Sequence, residues 1–219
     1  VANLIDTLSG TWHPSFPTLS STRVTHGTEE ISVHWPPLML PGGQYRLCWC
    51  SGGCVDQSNF KTDVGQMELI GLSPLPQDGT CSTGQTCIVQ GLEGYHLSAN
   101  DSILVADTCG SASVIRSFDL ETISQVSQSG GQVFFGTVTS AGGQFKLCWC
   151  SATLDCISHE DFRMAVGTLN LMGPTLFQDR TCISGRLCTL ENLTTYLPTP
   201  GDSLVVLDTC GTNTVPHRL

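Results

Sequence analysis

Residues Gly42 to Cys50 read G-G-Q-Y-R-L-C-W-C, and Gly142 to Cys150 read G-G-Q-F-K-L-C-W-C, an offset of 100 residues. Downstream, Phe60 to Gly71 matches Phe162 to Gly173, and Gln77 to Cys81 matches Gln178 to Cys182. Asp101 to Gly110 (D-S-I-L-V-A-D-T-C-G) matches Asp202 to Gly211 (D-S-L-V-V-L-D-T-C-G). Every cysteine of one copy has a counterpart in the other, so the chain contains a duplication. A period near 100 residues is too long for helical solenoid units or propeller blades and suits whole β-domains.

The apolar pattern within each copy has period two. Ile31, Val33 and Trp35 alternate with Glu30, Ser32 and His34, and Met67 and Leu69 alternate with Gln66 and Glu68. Such alternation marks half-buried strands, whereas the continuous runs Ile103-Leu104-Val105 and Leu204 to Leu207 mark central ones. In the strand ending at Cys50, Tyr45, Leu47 and Trp49 share one face, and Arg46, Cys48 and Cys50 the other. The aromatic face is expected to meet the core, with the twin set Phe145, Leu147 and Trp149 doing the same. The cysteines would then fasten a covering loop or strand to the outer face of the sheet.

Twelve cysteines in 219 residues point to an oxidising compartment, because no C-x-x-C pair or finger-like His spacing is present to hold metal instead. A secreted or extracellular, cell-surface location is therefore expected. The net charge of −10 and the lack of a basic run argue against nucleic acid as a partner. No apolar run reaches the ~18–20 residues of a membrane span. The chain begins at Val1 without a leader, which reads as a processed or excerpted piece of a longer polypeptide.

The segment Gly43-Gln44-Tyr45-Arg46-Leu47-Cys48-Trp49-Cys50 and its twin resemble the Gly-x-Tyr-x-x-Cys penultimate strand of immunoglobulin-like sandwiches. The whole repeat also resembles the Cys-rich repeats, with Tyr-x-Leu-Cys-Trp-Cys, of giant secreted surface proteins of protists. These resemblances imply an all-β fold of tandem, disulfide-stapled, immunoglobulin-like antiparallel β-sandwiches, and an extracellular repeat module without a catalytic activity.

Gly-Pro at 173–174 and the equivalent stretch near Pro74 suggest domain junctions. In this phase 1–73 is the later part of one repeat, 74–173 is complete, and 174–219 opens a third, completed by a neighbouring copy or by continuation of the chain. The rival phase has two whole domains, about 1–112 and 113–219. Six cysteines per repeat allow fifteen connectivities. The split phase favours short-range bridges Cys50 with Cys54, Cys150 with Cys156, Cys81 with Cys87 and Cys182 with Cys188. Cys109 and Cys148 then pair within the middle repeat, and Cys48 and Cys210 remain as candidates for a bridge between protomers.

Two N-glycosylation sequons, Asn100-Asp101-Ser102 and Asn192-Leu193-Thr194, lie in turn-like stretches. The Ser, Thr and Pro residues of 13–25 form either an O-glycosylated or a plain exposed loop. No catalytic or metal-ligating constellation emerges: the six His do not recur between copies, and His159-Glu160-Asp161 lacks further ligands. Asp101, Asp107, Asp202 and Asp208 do recur and read as turn formers more than calcium ligands. Trp49 and Trp149 read as core more than as sugar platforms. The expectation is a non-enzymatic subunit without cofactors, whose partners are copies of itself joined head to tail, and which carries covalent glycans. An adhesin or receptor ectodomain that binds carbohydrate or protein through its loops is the alternative.

Overall fold

A computed structural model describes residues 2–6, 25–26, 31–33, 35–113, 115, 117–118, 121–122, 124–127 and 130–212. Among them the chain is all-β, with two single 3-10 turns, Gln57–Asn59 and His159–Asp161, as its helical content. The Ser/Thr/Pro-rich stretch 13–24 and the alternating residues Glu30 and His34 lie outside the described residues. Among the described residues no helix is long and apolar enough to cross a membrane.

The first unit holds strands β1 (Ala2–Asp6), β2 (Thr25–His26), β3 (Ile31–Ser32), β4 (Gly43–Trp49), β5 (Thr62–Leu69) and β6 (Gly71–Leu72). β1, β4 and β5 form an antiparallel sheet in that order, and β2 pairs only with β3. Leu40 and Tyr45 are the buried centre of its small core, with Trp35, Leu38, Leu47, Met67 and Leu69 packed around them. The Tyr45 hydroxyl donates to the Pro41 carbonyl at 2.7 Å, which satisfies the one polar atom of this buried ring.

The middle unit holds β7 (Gly79–Ser82), β8 (Thr86–Leu92), β9 (Gly94–Tyr95), β10 (Ser102–Ala106), β11 (Glu121–Thr122), β12 (Ser124–Ser127), β13 (Gly130–Thr137), β14 (Gly143–Cys150) and β15 (Met164–Pro174). One sheet runs β11-β10-β14-β15, with β7 added parallel to the far side of β15. A three-stranded sheet runs β12-β13-β8. The sheets are small and open. They nevertheless share one apolar cluster: Val89 and Leu92 from β8 and Val133 from β13 meet Ile103, Leu147, Leu169 and Leu171 from the other sheet. This is what period-two alternation on both sheets requires, because each sheet has one face to remove from water.

The last unit contributes β16 (Thr195–Tyr196), which pairs with the end of β15 at Gly173 and Pro174. The same ladder joins the first two units, where Gly71 and Leu72 of β6 pair with Tyr95 and Gly94 of β9. Each junction is closed by a Gly-Gly turn. A Cβ on Gly42 would collide with the Gly71 backbone, and one on Gly142 with the Gly173 backbone. The amides of Gly42 and Gly142 donate across these junctions to Leu72 and Pro174 at 3.0 Å. Glycine is needed there for close backbone approach.

The strand-face expectation holds in part. Tyr45 and Leu147 are buried, but Leu47, Trp49, Phe145 and Trp149 are half-buried, with Phe145 and Trp149 at the rim of the main cluster. The opposite face is not solvent-facing either. Cys148, Cys150, Leu104, Ala106 and Phe162 form a second buried cluster, because the loop after β14 folds back over the sheet.

Candidate functional site

Five disulfides organise the units. Cys150 bridges Cys156 and Cys109 bridges Cys148, and both bridges lie in the outer cluster around Phe162. In the first unit Cys50 bridges Cys54, beside Phe60 in an equivalent cluster. Cys81 bridges Cys87 at the edge of the main core, and Cys182 bridges Cys188 in the last unit.

Two thiols remain, Cys48 and Cys210. Cys48 occupies the position of Cys148 but is unbridged and buried. Desolvation, with the nearby Asp63 carboxylate adding to it, raises its pKa above the ordinary thiol value, and Arg46 opposes the shift. Arg46 and Asp63, each about half exposed, face each other at 3.3 Å. Cys210, the counterpart of Cys109, is exposed.

Cys48 lacks a partner because the chain that follows the strand beside it carries no matching cysteine. β1 lies along β4 with Ala2 opposite Trp49, Asn3 opposite Cys48 and Leu4 opposite Leu47. β10 lies along β14 with Ile103 opposite Trp149, Leu104 opposite Cys148 and Val105 opposite Leu147. The registers coincide, so residues 2–6 are a third copy of this strand. The signal was Asp6-Thr7, which repeats Asp107-Thr108 and Asp208-Thr209, but Leu8 stands where Cys109 and Cys210 stand. Without that cysteine the match was easy to overlook.

Beyond the two-residue β16, the last unit is a set of strand sequences without a sheet. Leu204, Val205 and Val206 are 69%, 72% and 62% exposed, whereas their counterparts Ile103, Leu104 and Val105 are exposed by no more than 2%. Its local conformation is nonetheless that of the middle unit. The Gln77 side chain donates to the Pro74 and Glu93 carbonyls and accepts from the Glu93 amide. The Gln178 side chain makes the same clasp with Thr175 and Thr194. Positive backbone φ recurs at Gly84 and Gly185 (79° and 77°), and at Gly91 and Asn192 (75° and 56°).

The recurring aspartates act at turns. Asp101, buried, accepts from the Ser98 amide at 3.1 Å and from the Ala152 amide at 2.8 Å, tying its turn to the loop after β14. Asp202 accepts from the Thr199 amide at 2.9 Å and the Thr199 hydroxyl at 2.7 Å, which together lower its pKa. Asp161 is lowered by the Ser158 amide and hydroxyl that donate to it. Among the described residues no three His, Cys, Asp or Glu side chains group as a metal site would need. Asn100 and Asn192 are both exposed.

A cleft of about 420 Å³ separates Pro37, Leu38 and Met39 of the first unit from Trp149, Asp161 and Arg163 of the second. Trp149 lines it, and the Nε1 of that residue is a buried donor without a hydrogen-bond partner.

No protein-family model matches the chain, and no solved structure matches it significantly. Over 144 residues, 62% of the chain, it is 26% identical to the cysteine repeat modular protein B of Toxoplasma gondii. The chain spans only 2% of the length of that relative. It is thus similar, over more than half its length, to a small part of a cysteine-repeat protein of a protist.

Proposed function

We propose that this chain is a non-enzymatic, glycosylated building block of an extracellular structure such as a filament, appendage or surface coat, with immunoglobulin-like repeats that join end to end. The observation that carries this reading is the last unit. It holds strand sequences in strand-ready local shape, with their apolar side chains in water, and a unit in that state calls for a complementary sheet. The first unit is the reciprocal case, a three-stranded sheet accompanied among the described residues by no more than the two-residue ladder β2-β3 and the junction pair β6-β9. A contact between unlike ends propagates and builds a filament unless its rotation closes a ring.

Several features support the immunoglobulin-like assignment. The first strand of the middle unit lies parallel to its last, the remaining pairings are antiparallel, and two open sheets enclose one core. The Tyr45 hydroxyl bond to an upstream carbonyl is like the tyrosine corner of that fold. Similarity to a cysteine-repeat protein and five disulfides in one chain support an oxidising, extracellular setting.

The end-to-end reading is tested by sedimentation equilibrium and negative-stain microscopy of the oxidised chain across a concentration series. Concentration-dependent rods of one-unit width are expected; a monomer at every concentration sinks self-assembly. The cleft beside Trp149 favours a second reading, an adhesive module that binds carbohydrate or peptide there. Saturable glycan binding by the monomer, lost in Trp149→Ala, would select it.

A further inference from the structure

We propose that the bare edge of β5 is a strand-docking site for residues 178–193 of a second copy, with 180–183 adding as a parallel strand. The inference rests on the end-to-end reading above and specifies which edge, which segment and which register it uses.

The middle unit displays the finished form of this contact. On the far edge of β15, Leu169, Asn170, Leu171 and Met172 pair in parallel with Gly79, Thr80, Cys81 and Ser82. The Gln77 amide donates to the Val166 carbonyl at 2.7 Å, the Thr168 amide to the Asp78 carboxylate at 2.7 Å, and the Thr83 amide to the Met172 carbonyl at 2.8 Å. Val166 is fully buried, within the main cluster. β5 is the counterpart of β15, yet among the described residues nothing pairs with its outer edge. Val64 and Ile70, which stand for Val166 and Met172, are 55% and 41% exposed.

Gly167 and Gly65 carry the argument further. A Cβ on Gly167 would collide with the Gln77 backbone, so glycine there lets the incoming strand approach. Its twin Gly65 holds the equivalent position on β5, with φ 139°, and a Cβ built on it meets no atom within 4 Å. The occupant is identified by repeat order. Residues 178–193 carry the matching Gln178-Asp179, the Cys182–Cys188 bridge and Leu190 and Leu193, and they already hold the shape of 77–92. The ladder that leads from β6 into β9 is repeated from β15 into β16, so the segment leaves one unit as the middle unit leaves the first. Preorganised strands of this kind lose little further freedom on docking.

Transferring the register puts Met67 opposite Arg180, Glu68 opposite Thr181, Leu69 opposite Cys182 and Ile70 opposite Ile183. The Gln178 amide then reaches the Val64 carbonyl, and the Gln66 amide the Asp179 carboxylate. β1 need not move, because it lies on the opposite edge, along β4.

The test uses the full chain carrying a photoreactive benzoylphenylalanine in place of Glu68, mixed with isotope-labelled chain. Asn170, the twin of Glu68, carries the same group in a control that should cross-link to 79–82 of its own chain. The expected product joins position 68 of one copy to 180–183 of the labelled copy. It should be lost when the labelled copy carries Arg180→Pro and Thr181→Pro, since one of two successive amides must face β5. Association without that product, or with a product mapping elsewhere, overturns this register while leaving end-to-end assembly in place. A chain that stays monomeric overturns both.

Discussion

Leu92 and Leu193 are the same residue at equivalent places in two copies, one inside a core and one outside, which makes them a controlled pair. Leu92 is 2% exposed, within the main cluster, and Leu193 is 41% exposed. Truncating a fully buried leucine to alanine costs about 2–5 kcal/mol, transfer and residual cavity together. Leu92 has its full complement of neighbours, so about 3 kcal/mol is expected for Leu92→Ala. For a domain of this size each kcal/mol moves the midpoint by about 4–8 °C, hence a fall of about 12–24 °C. Leu193→Ala removes a side chain that water still reaches, and its cost in the dilute monomer should be below about 1 kcal/mol. If Leu193 is buried when the last unit docks, the same substitution weakens self-association by about 3 kcal/mol, roughly a hundredfold in Kd. Thermal melts followed by near-ultraviolet circular dichroism at low concentration give the first pair of numbers. Sedimentation equilibrium gives the third. Equal losses of melting temperature for the two variants would mean that the last unit already possesses a core. Unchanged association in Leu193→Ala would remove this face from the contact.

The Cys109–Cys148 bridge closes a loop of separation 39 and Cys150–Cys156 one of separation 6. Loop-entropy arithmetic gives about 4 and about 2.4 kcal/mol, so urea titration of the two Cys→Ala pairs should rank the longer bridge first; the reverse order would refute an unfolded-state origin. At neutral pH a maleimide should label Cys210 rapidly and Cys48 only after denaturation, because Cys48 is buried and its raised pKa keeps it protonated; equal native rates would contradict that burial. A bridge from Cys210 of one copy to Cys48 of the next requires β1 to leave β4, so deletion of residues 1–10 should increase that reducible cross-link, and an unchanged yield would count against the β1 register. In protein from its natural host, an N-glycan amidase should lower the mass and convert Asn100, Asn192 or both to Asp; intact Asn at both sites refutes glycosylation there. The depressed pKa of Asp202 means that its bonds to Thr199 stabilise the turn above the ordinary carboxylate range and are lost as pH falls through the lowered value. The amide exchange of Thr199 should therefore stay protected at mildly acidic pH and rise only below about pH 3.8, the unshifted value; protection that fails earlier would reverse the sign.

Duplication, strand content and the short cysteine spacings were legible in the sequence because each is local or periodic. Alternation along Tyr45 to Cys50 gives two faces whatever surrounds the strand, since side chains alternate with the pleat. What each face meets depends on segments far along the chain. The loop carrying Cys156 and Phe162 covers the cysteine face of β14, so both faces became apolar and the aromatic row was left half-buried at Phe145 and Trp149. The parallel seat of β7 on β15 joins residues 90 apart, as in the Thr168 to Asp78 bond, and no local pattern encodes it. β1 is not legible in the cysteine pattern for a related reason: at Leu8 the cysteine is missing. Only the shared register along β4 and β14 revealed the third copy. The last unit marks the boundary most plainly. Its sequence aligns with 75–112 without a gap, and its turns, clasp and bridge form as local interactions dictate. Beyond β16 its strand sequences remain unpaired, because a sheet needs a neighbouring edge and burial needs an opposing face, and both come from tertiary structure.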